Sequence, residues 1–366
     1  MSDVLALAQR LIAYDTCEPD GLRLCSGFIK GFLEARGIEA REETVRDLPV
    51  LFAEVGPEAG PTVVLHGHID VVPAYPEQFV PKVEGDRLYG RGAYDMKGAL
   101  AAMLATLTDM REQDAVRVRL GIVADEEDED TANKGSDYMV DSGFIGDFAI
   151  TGEPTDMHIG VEAKGVLAVR LEILGRAAHG STPWLGDNAV LKAIDVFRSI
   201  ESLPFSRESS AFFDRPSINL GRIMGGDALN KVPDRCVIDV DIRYLPDQDL
   251  EEILGQVSAL PESKVISTFT RPPASVERDS PYLQALSEAA SAAGLQETMS
   301  VGRDGSSDAV SFLRVGVPAV EYGPTGEGHH GPEEWVSISS LETYRQVLTR
   351  FLTDLPARVG AGPDGA

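Results

Sequence analysis

A short apolar strand that leads directly into histidines and an aspartate is the feature that most constrains this fold. The apolar run 63–65 is followed by His66, His68 and Asp70. Because side chains alternate along a strand, we expect His68 and Asp70 on one face, where the carboxylate can orient the imidazole toward a cation. The segment predicts part of a metal site, whose other ligands must come from elsewhere in the chain.

Size and charge exclude several classes of protein. With 366 residues and 43% hydrophobic side chains, the chain is long enough for two domains around a buried core. A formal net charge of -26 argues against nucleic acid or an anionic membrane as a partner. The first residues lack a basic leader, and no apolar stretch reaches membrane-spanning length, so we expect a cytoplasmic protein. Three scattered cysteines suit a reducing compartment better than a thiolate zinc site.

The periodicity of the apolar residues predicts an α/β fold with an insertion. Two helices open the chain, and short β-rich runs alternating with helices follow them. Between about Val166 and Thr270 the order is β-α-β-β-α-β, which is the ferredoxin-like arrangement. We therefore divide the chain into 1–165, an inserted domain at 166–274, and 275–366, with a frayed tail after Pro356.

Three further segments place acids or histidines just after predicted strands. Six acids, 125–130, follow the apolar run 121–124; Glu153 follows another strand; and His329 and His330 lie in a glycine-rich loop. A solvated acidic loop and surface histidines are the alternatives. Neighbouring acids can also have different roles, since one carboxylate can bind a metal while the next acts as a general base. The recurrence of such segments favours a metal site.

In combination, these segments resemble a known family. The motifs are His-x-Asp, Gly-Arg-Gly-x-x-Asp-Met-Lys-Gly, Asp-Glu-Glu, Gly-Glu-Pro-Thr and His-x-Pro-x-Glu, at 68–70, 90–98, 125–127, 152–155 and 330–334. They resemble the dinuclear zinc aminoacylase and carboxypeptidase family, which includes acetylornithine deacetylase, succinyl-diaminopimelate desuccinylase and glutamate carboxypeptidase. The resemblance spans nearly the whole chain. It implies a three-layer α/β/α zinc-peptidase catalytic domain with an inserted ferredoxin-like α+β lid and dimerisation domain.

The resemblance also implies a role for each motif residue. One metal would be bound by His68 and Glu153, the other by Glu127 and His330, with Asp95 bridging both. Asp70 would orient His68, and Glu126 would act as general base and acid. A cis peptide is expected between Asp95 and Met96. His329 is the alternative to His330, and His66 is expected to pack or hydrogen-bond nearby.

The predicted ligands suit a particular metal and reaction. Two imidazoles and three carboxylates fit Zn²⁺, two per subunit, with Co²⁺ or Mn²⁺ as substitutes. Such a pair can activate a metal-bridging water for amide hydrolysis. The resemblance implies a deacylase of N-acyl amino acids, of the acetylornithine deacetylase or succinyl-diaminopimelate desuccinylase type. A dipeptidase or carboxypeptidase of the same family is the alternative.

The inserted domain contains the candidate substrate contacts. By resemblance, His179 reaches the active site of a partner subunit, which requires a homodimer, and Asn230 and Arg243 contact substrate. A guanidinium suits a substrate carboxylate because it donates two hydrogen bonds. His179 could instead cap a loop, and Arg243 could pair with Asp241 or Asp247.

The chain departs from the family pattern after Asp125-Glu126-Glu127. A small residue and glycine usually follow, but here the acids continue to Asp130. The longer loop predicts an acidic rim that favours substrates with an additional amine.

Overall fold

The chain forms two compact units in its computed structural model. The model describes residues 3–128, 134–296, 298, 301–303 and 308–359. The first unit takes its residues from 1–161, 276–301 and 308–366, and the second from 162–275 and 302–307. No helix in the described ranges is long and apolar enough to cross a membrane.

Helices of six or more residues are numbered in chain order. They are α1 Asp3–Ile12, α2 Pro19–Glu34, α3 Gly98–Asp109, α4 Gly135–Asp141, α5 Ala189–Ile200, α6 Leu250–Ser258, α7 Pro281–Ala292, α8 Ala309–Arg314 and α9 Ile338–Val359. Asn188 and Asp249 cap α5 and α6, because each side chain accepts hydrogen bonds from two amides of the first turn.

The strands are also numbered in chain order. They are β1 Ala40–Val45, β2 Leu48–Val55, β3 Thr62–His68, β4 Lys82–Glu84, β5 Arg87–Tyr89, β6 Arg117–Val123, β7 Phe148–Thr151, β8 Gly160–Ala163, β9 Gly165–Leu174, β10 Ser217–Gly225, β11 Arg235–Tyr244, β12 Ser263–Arg271, β13 Ala274–Ser275, β14 Val301–Arg303, β15 Ala319–Glu321, β16 Gly326–Glu327 and β17 Trp335–Ser337.

A large mixed sheet organises the first unit. Its order runs β1-β2-β6-β3-β7-β15-β8. Strands β6, β3, β7 and β15 are parallel to their neighbours within this group. Their carboxyl ends therefore meet at one edge of the sheet, which is where α/β sheets carry their functional side chains. Helix α3 is apolar on all sides and is buried along 98–107, as expected for a helix enclosed by the core.

The second unit has its own antiparallel sheet, in the order β10-β11-β9-β12. With α5 and α6 the chain order is β-α-β-β-α-β, as the sequence pattern predicts. Alternate side chains of β9 and β11 are buried, and they form one core with the apolar faces of α5 and α6.

One strand was not predicted, and one local prediction was wrong. The strand that was not predicted is β1, whose side chains are mostly polar and whose structure depends on antiparallel pairing with β2. The predicted tail after Pro356 was placed too early, because α9 continues through this proline to Val359. Buried Phe351, Leu352 and Leu355 hold these last turns against the core, and residues 360–366 lie outside the described residues.

Candidate metal centre

Parallel strands bring three of the predicted segments to one edge of the sheet. In the register of β3 with β6, His68 lies opposite Val123, and in that of β3 with β7, His66 lies opposite Thr151. The acidic loop follows Val123, and Glu153 follows Thr151. The sheet therefore brings these segments together although they are far apart in sequence.

His68, Asp95 and Glu153 form a buried cluster that could hold a metal ion. The Nε2 atom of His68 lies 3.1 Å from Asp95 Oδ1 and 3.9 Å from Glu153 Oε1. On the other side of the ring, Nδ1 lies 3.0 Å from the main-chain oxygen of Asp70 and 3.4 Å from its carboxylate. Burial lowers the pKa of His68, but contacts with Asp70 and Asp95 outweigh burial and raise the pKa well above its usual value.

A second cluster contains Asp95, His329 and His330. The Nε2 atom of His330 lies 3.1 Å from Glu127 Oε1 and 3.4 Å from Asp95 Oδ2. Hydrogen bonds to these two carboxylates raise the pKa of His330 to about 10. His329 also reaches Asp95, with 2.5 Å between Nε2 and Oδ2. Both histidines are therefore close to Asp95, and His330 lies between Asp95 and Glu127.

Asp95 belongs to both clusters. Burial raises the pKa of its carboxyl, but hydrogen bonds from His329, His330 and His68 hold it well below the usual range. The peptide bond between Asp95 and Met96 is cis, as expected. Asp95 could therefore offer a ligand atom to a cation in either cluster.

Glu126 lies next to these clusters in an environment that favours its protonated form. Burial, followed by the negative charge of Asp308, raises the pKa of its carboxyl to about 8. Its main-chain oxygen accepts a hydrogen bond from Lys134 Nζ. The next amide, that of Glu127, donates to Asp70 Oδ2 at 2.8 Å. A carboxyl that titrates near neutral pH can both take up and release a proton.

The donor set fits a cation. Within the described residues, the buried atoms Glu153 Oε1 and Asp70 Oδ1 have no hydrogen-bond partner. Burial, followed by the charges of Asp95 and Glu126, raises the pKa of Glu153 well above its usual value. Buried carboxylates this close together are costly unless a positive charge compensates them. An ion bound by oxygen and imidazole would supply that charge.

Arg91 and Glu334 belong to the family motifs at 90–98 and 330–334, but the sequence predicts no role for either residue. Arg91 Nη1 donates to Glu334 Oε2 at 2.6 Å, and Arg91 Nη2 donates to the main-chain oxygen of His330 at 2.9 Å. The Glu334 carboxylate also accepts from the amides of Gly92, Tyr94 and Asp95 at 2.9–3.1 Å. This ion pair holds the segments that carry Asp95 and His330.

His66 packs and hydrogen-bonds, as expected, and belongs to neither donor cluster. Its Nε2 is 3.0 Å from Ser136 Oγ, and its ring packs edge-on against Phe312. Burial lowers the pKa of His66 to about 4, so the ring is neutral at pH 7.

The three candidate substrate contacts lie in the second unit. His179 is exposed, and its Nδ1 accepts a hydrogen bond from the Ser181 amide at 3.1 Å. Asn230 is exposed, and its main-chain oxygen accepts from the amide of Gly180. Arg243 Nε lies 3.0 and 3.1 Å from the two carboxylate oxygens of Asp241. This ion pair is one of the alternatives to substrate binding that the sequence allows. Capping by His179 and pairing by Arg243 are thus both observed.

Comparison with known proteins identifies the family. Peptidase family M20/M25/M40 matches residues 64–354. The chain is 27% identical to a succinyl-diaminopimelate desuccinylase of Hahella chejuensis, covering 97% of both chains. Identity to the same-named protein of Thioalkalivibrio sulfidiphilus is 29%, covering 97% of this chain and 99% of the other.

Solved structures share the fold. A tripeptidase from Staphylococcus aureus superposes with a TM-score of 0.81 at 21% identity, covering 97% of this chain and 98% of the other. An M20 family metallo-carboxypeptidase from Sulfolobus solfataricus gives 0.78 at 21% identity, covering 98% and 100%. These structures confirm the predicted fold class. The chain therefore belongs to peptidase family M20/M25/M40 and is a hydrolase of the metal-dependent peptidase and amidohydrolase class.

Proposed function

We propose that the chain is a zinc-dependent amidohydrolase that deacylates N-acyl amino acids, of the succinyl-diaminopimelate desuccinylase or acetylornithine deacetylase type. The observation that carries this proposal is the convergence of His68, Asp95, Glu153, Glu127 and His330 beside Glu126. The relatives named as desuccinylases align over 97% of the chain and support the substrate class. A peptidase or carboxypeptidase is the second candidate, because structures with those names share the fold.

Two zinc ions per subunit fit the donors, and Co²⁺ or Mn²⁺ would serve as substitutes. His68 and Glu153 would hold one ion, Glu127 and His330 the other, and Asp95 both. When bound, such ions polarise an amide carbonyl and lower the pKa of a water molecule toward neutrality.

The protein's own groups would orient the ligands and move the proton. The main-chain oxygen of Asp70 holds His68 Nδ1 at 3.0 Å, and the Asp70 carboxylate lies 3.4 Å from the same nitrogen. The Glu126 carboxylate would take a proton from the attacking water and pass it to the leaving nitrogen. Burial raises the pKa of this carboxyl to about 8 in the metal-free protein, and the positive charge of bound ions would lower it, which would leave the carboxylate free to accept a proton near neutral pH.

The second unit would complete the site in a homodimer. Strand β10 is an edge strand with mostly exposed side chains, including Ile223 and Met224. Leu191 and Ile194 on α5 are also exposed, by 61% and 41%. Such apolar residues, beside a strand edge that pairs with no other strand among the described residues, suit a second copy of the chain. His179, Asn230 and Arg243 would then contact substrate. We also propose a cytoplasmic location, which three free thiols favour.

A hydrolysis panel with a matched variant pair tests this function. Acetylornithine, succinyl-diaminopimelate and dipeptides are assayed with Zn²⁺ or Co²⁺, using the wild type, Glu126→Gln and the exposed control Glu58→Gln. We expect the wild type and Glu58→Gln to hydrolyse an acyl amino acid. In Glu126→Gln, kcat should fall about 10²–10⁴-fold, although this variant should still bind about two zinc ions per subunit. Full activity of Glu126→Gln would remove its role, and failure of every amide would refute the function.

A further inference from the structure

The acidic segment after β6 contacts an arginine on another element. Arg46 Nη1 lies 3.2 Å from Asp125 Oδ2, and Arg46 Nη2 lies 3.2 Å from Asp128 Oδ2. These two acids bracket Glu126 and Glu127 in the chain. One guanidinium thus joins both ends of the turn that carries the proposed base and a proposed ligand.

The inner end of this turn is firmly held. Both carboxylate oxygens of Asp125 accept from the Gly135 amide, at 2.9 and 3.0 Å, and the Asp125 side chain is only 2% exposed. The outer end, Asp128, is 45% exposed, and Arg46 contacts it directly. Because a guanidinium is a planar fork with several donors, it can contact two carboxylates at once.

Arg46 occupies an unusual backbone position. It lies with Asp47 in the two-residue turn between β1 and β2, and both have positive φ, 51° and 65°. Glycine or asparagine is favoured in such a turn, and a long side chain with left-handed φ costs about 1–2 kcal/mol. A costly residue that reaches the loop of the active site indicates a function other than forming the hairpin.

We propose that Arg46 is a positioning residue that holds the Glu126-Glu127 turn through Asp125 and Asp128. This proposal rests on the proposed function for the roles of Glu126 and Glu127. It also changes the interpretation of the acidic rim: Asp128 is compensated from within the protein, so it contributes less to the binding of a substrate amine than its charge suggests.

The test uses Arg46→Gly, Arg46→Lys and, as a matched control, Asp47→Gly. Both glycine variants relieve the positive φ of the turn, and only Arg46→Gly removes the guanidinium. Relative to Asp47→Gly, we expect kcat of Arg46→Gly to fall on the order of tenfold with KM nearly unchanged. Arg46→Lys should lie between the wild type and Arg46→Gly, because its single ammonium retains charge without the fork.

Hydrogen exchange of the metal-free proteins gives a readout that does not depend on activity. The amides of Glu127 and Gly135 should exchange faster in Arg46→Gly than in Asp47→Gly. Equal exchange and kcat values within twofold would overturn the proposal, as would a rise in KM at constant kcat, which would make Arg46 a substrate contact. If the wild type hydrolyses no amide, the proposed function fails, while hydrogen exchange still decides the role of Arg46.

Discussion

Replacing Glu334 with glutamine tests whether the buried ion pair with Arg91 holds the candidate site together. Glu334 is 2% exposed, and its carboxylate accepts four hydrogen bonds, from Arg91 and three amides. A glutamine keeps one acceptor oxygen, but its amide nitrogen must face donors that previously met an oxygen. Arg91 then stays buried without a compensating carboxylate.

The magnitude follows from that geometry. Removing one partner of a buried ion pair costs about 3–5 kcal/mol. At about 2–4 °C per kcal/mol for a large domain, Glu334→Gln should lower Tm by about 6–20 °C. Because glutamine cannot accept from all four donors, the segment that carries Asp95 should shift, and displacement of a reacting group by about 1 Å can lower kcat about 10²-fold.

The neighbouring Glu333 is exposed and provides the control. Thermal unfolding and steady-state hydrolysis are measured for Glu334→Gln and Glu333→Gln in parallel. If the two variants differ by less than about 2 °C in Tm and less than about threefold in kcat, the reasoning is refuted. Loss of a buried ion pair predicts larger differences.

Two further predictions concern pH and backbone space. The folded-state pKa values of His330 and Glu126, about 10 and about 8, lie above the ordinary 6.5 and 4.5. The protonated His330 ring stabilises the fold fully below pH 6.5, and this stabilisation is lost as the pH rises to about 10. Ionisation of Glu126 destabilises the fold, and this cost grows as the pH rises from 4.5 to about 8. The Tm of the metal-free protein should therefore fall from about pH 6 to about pH 9, and Zn²⁺ should reduce that fall; a rising Tm without metal would contradict this. Separately, a Cβ at Gly98 would lie 2.3 Å from the main-chain oxygen of Ala93, whereas one at Gly31 meets nothing within 4 Å. In chemical denaturation, Gly98→Ala should destabilise by about 1–3 kcal/mol and Gly31→Ala should stabilise by about 0.5–1 kcal/mol; equal effects would contradict the clash.

The part of the site that lies on parallel strands could be predicted from local patterns. His68 and Glu153 directly follow apolar runs, and strand ends of an α/β sheet converge on one edge. Asp95 lies in a turn, so only the family motifs indicated it, whereas the loop of His329 and His330 was indicated by its position after a predicted strand. The choice between His329 and His330 depends on ring positions, and the structure brings both rings to Asp95.

The supporting contacts could not be predicted from the sequence, because their partners are distant in the chain. Glu334 is separated from Arg91 by 243 positions, and Arg46 from Asp125 by 79. Both arginines belong to turns whose local pattern gives no information about a partner. The sequence left the pairing of Arg243 open for a different reason: Asp241 is close in a strand, and only side-chain geometry decides whether the two meet.

Protonated histidines allow this many carboxylates to coexist in the metal-free protein. The pKa of His330 is raised to about 10, so this ring is protonated at neutral pH and donates to the carboxylates around it. Contacts with Asp70 and Asp95 raise the pKa of His68 well above its usual value, which favours its protonated form as well. The Asp95 carboxylate accepts hydrogen bonds from His68 and from His330, and these bonds lower its pKa. These same nitrogen atoms must lose their protons before they can bind a cation. Metal binding must therefore release protons and strengthen as pH rises, so the contacts that preorganise the site also compete with the ions it is built to hold.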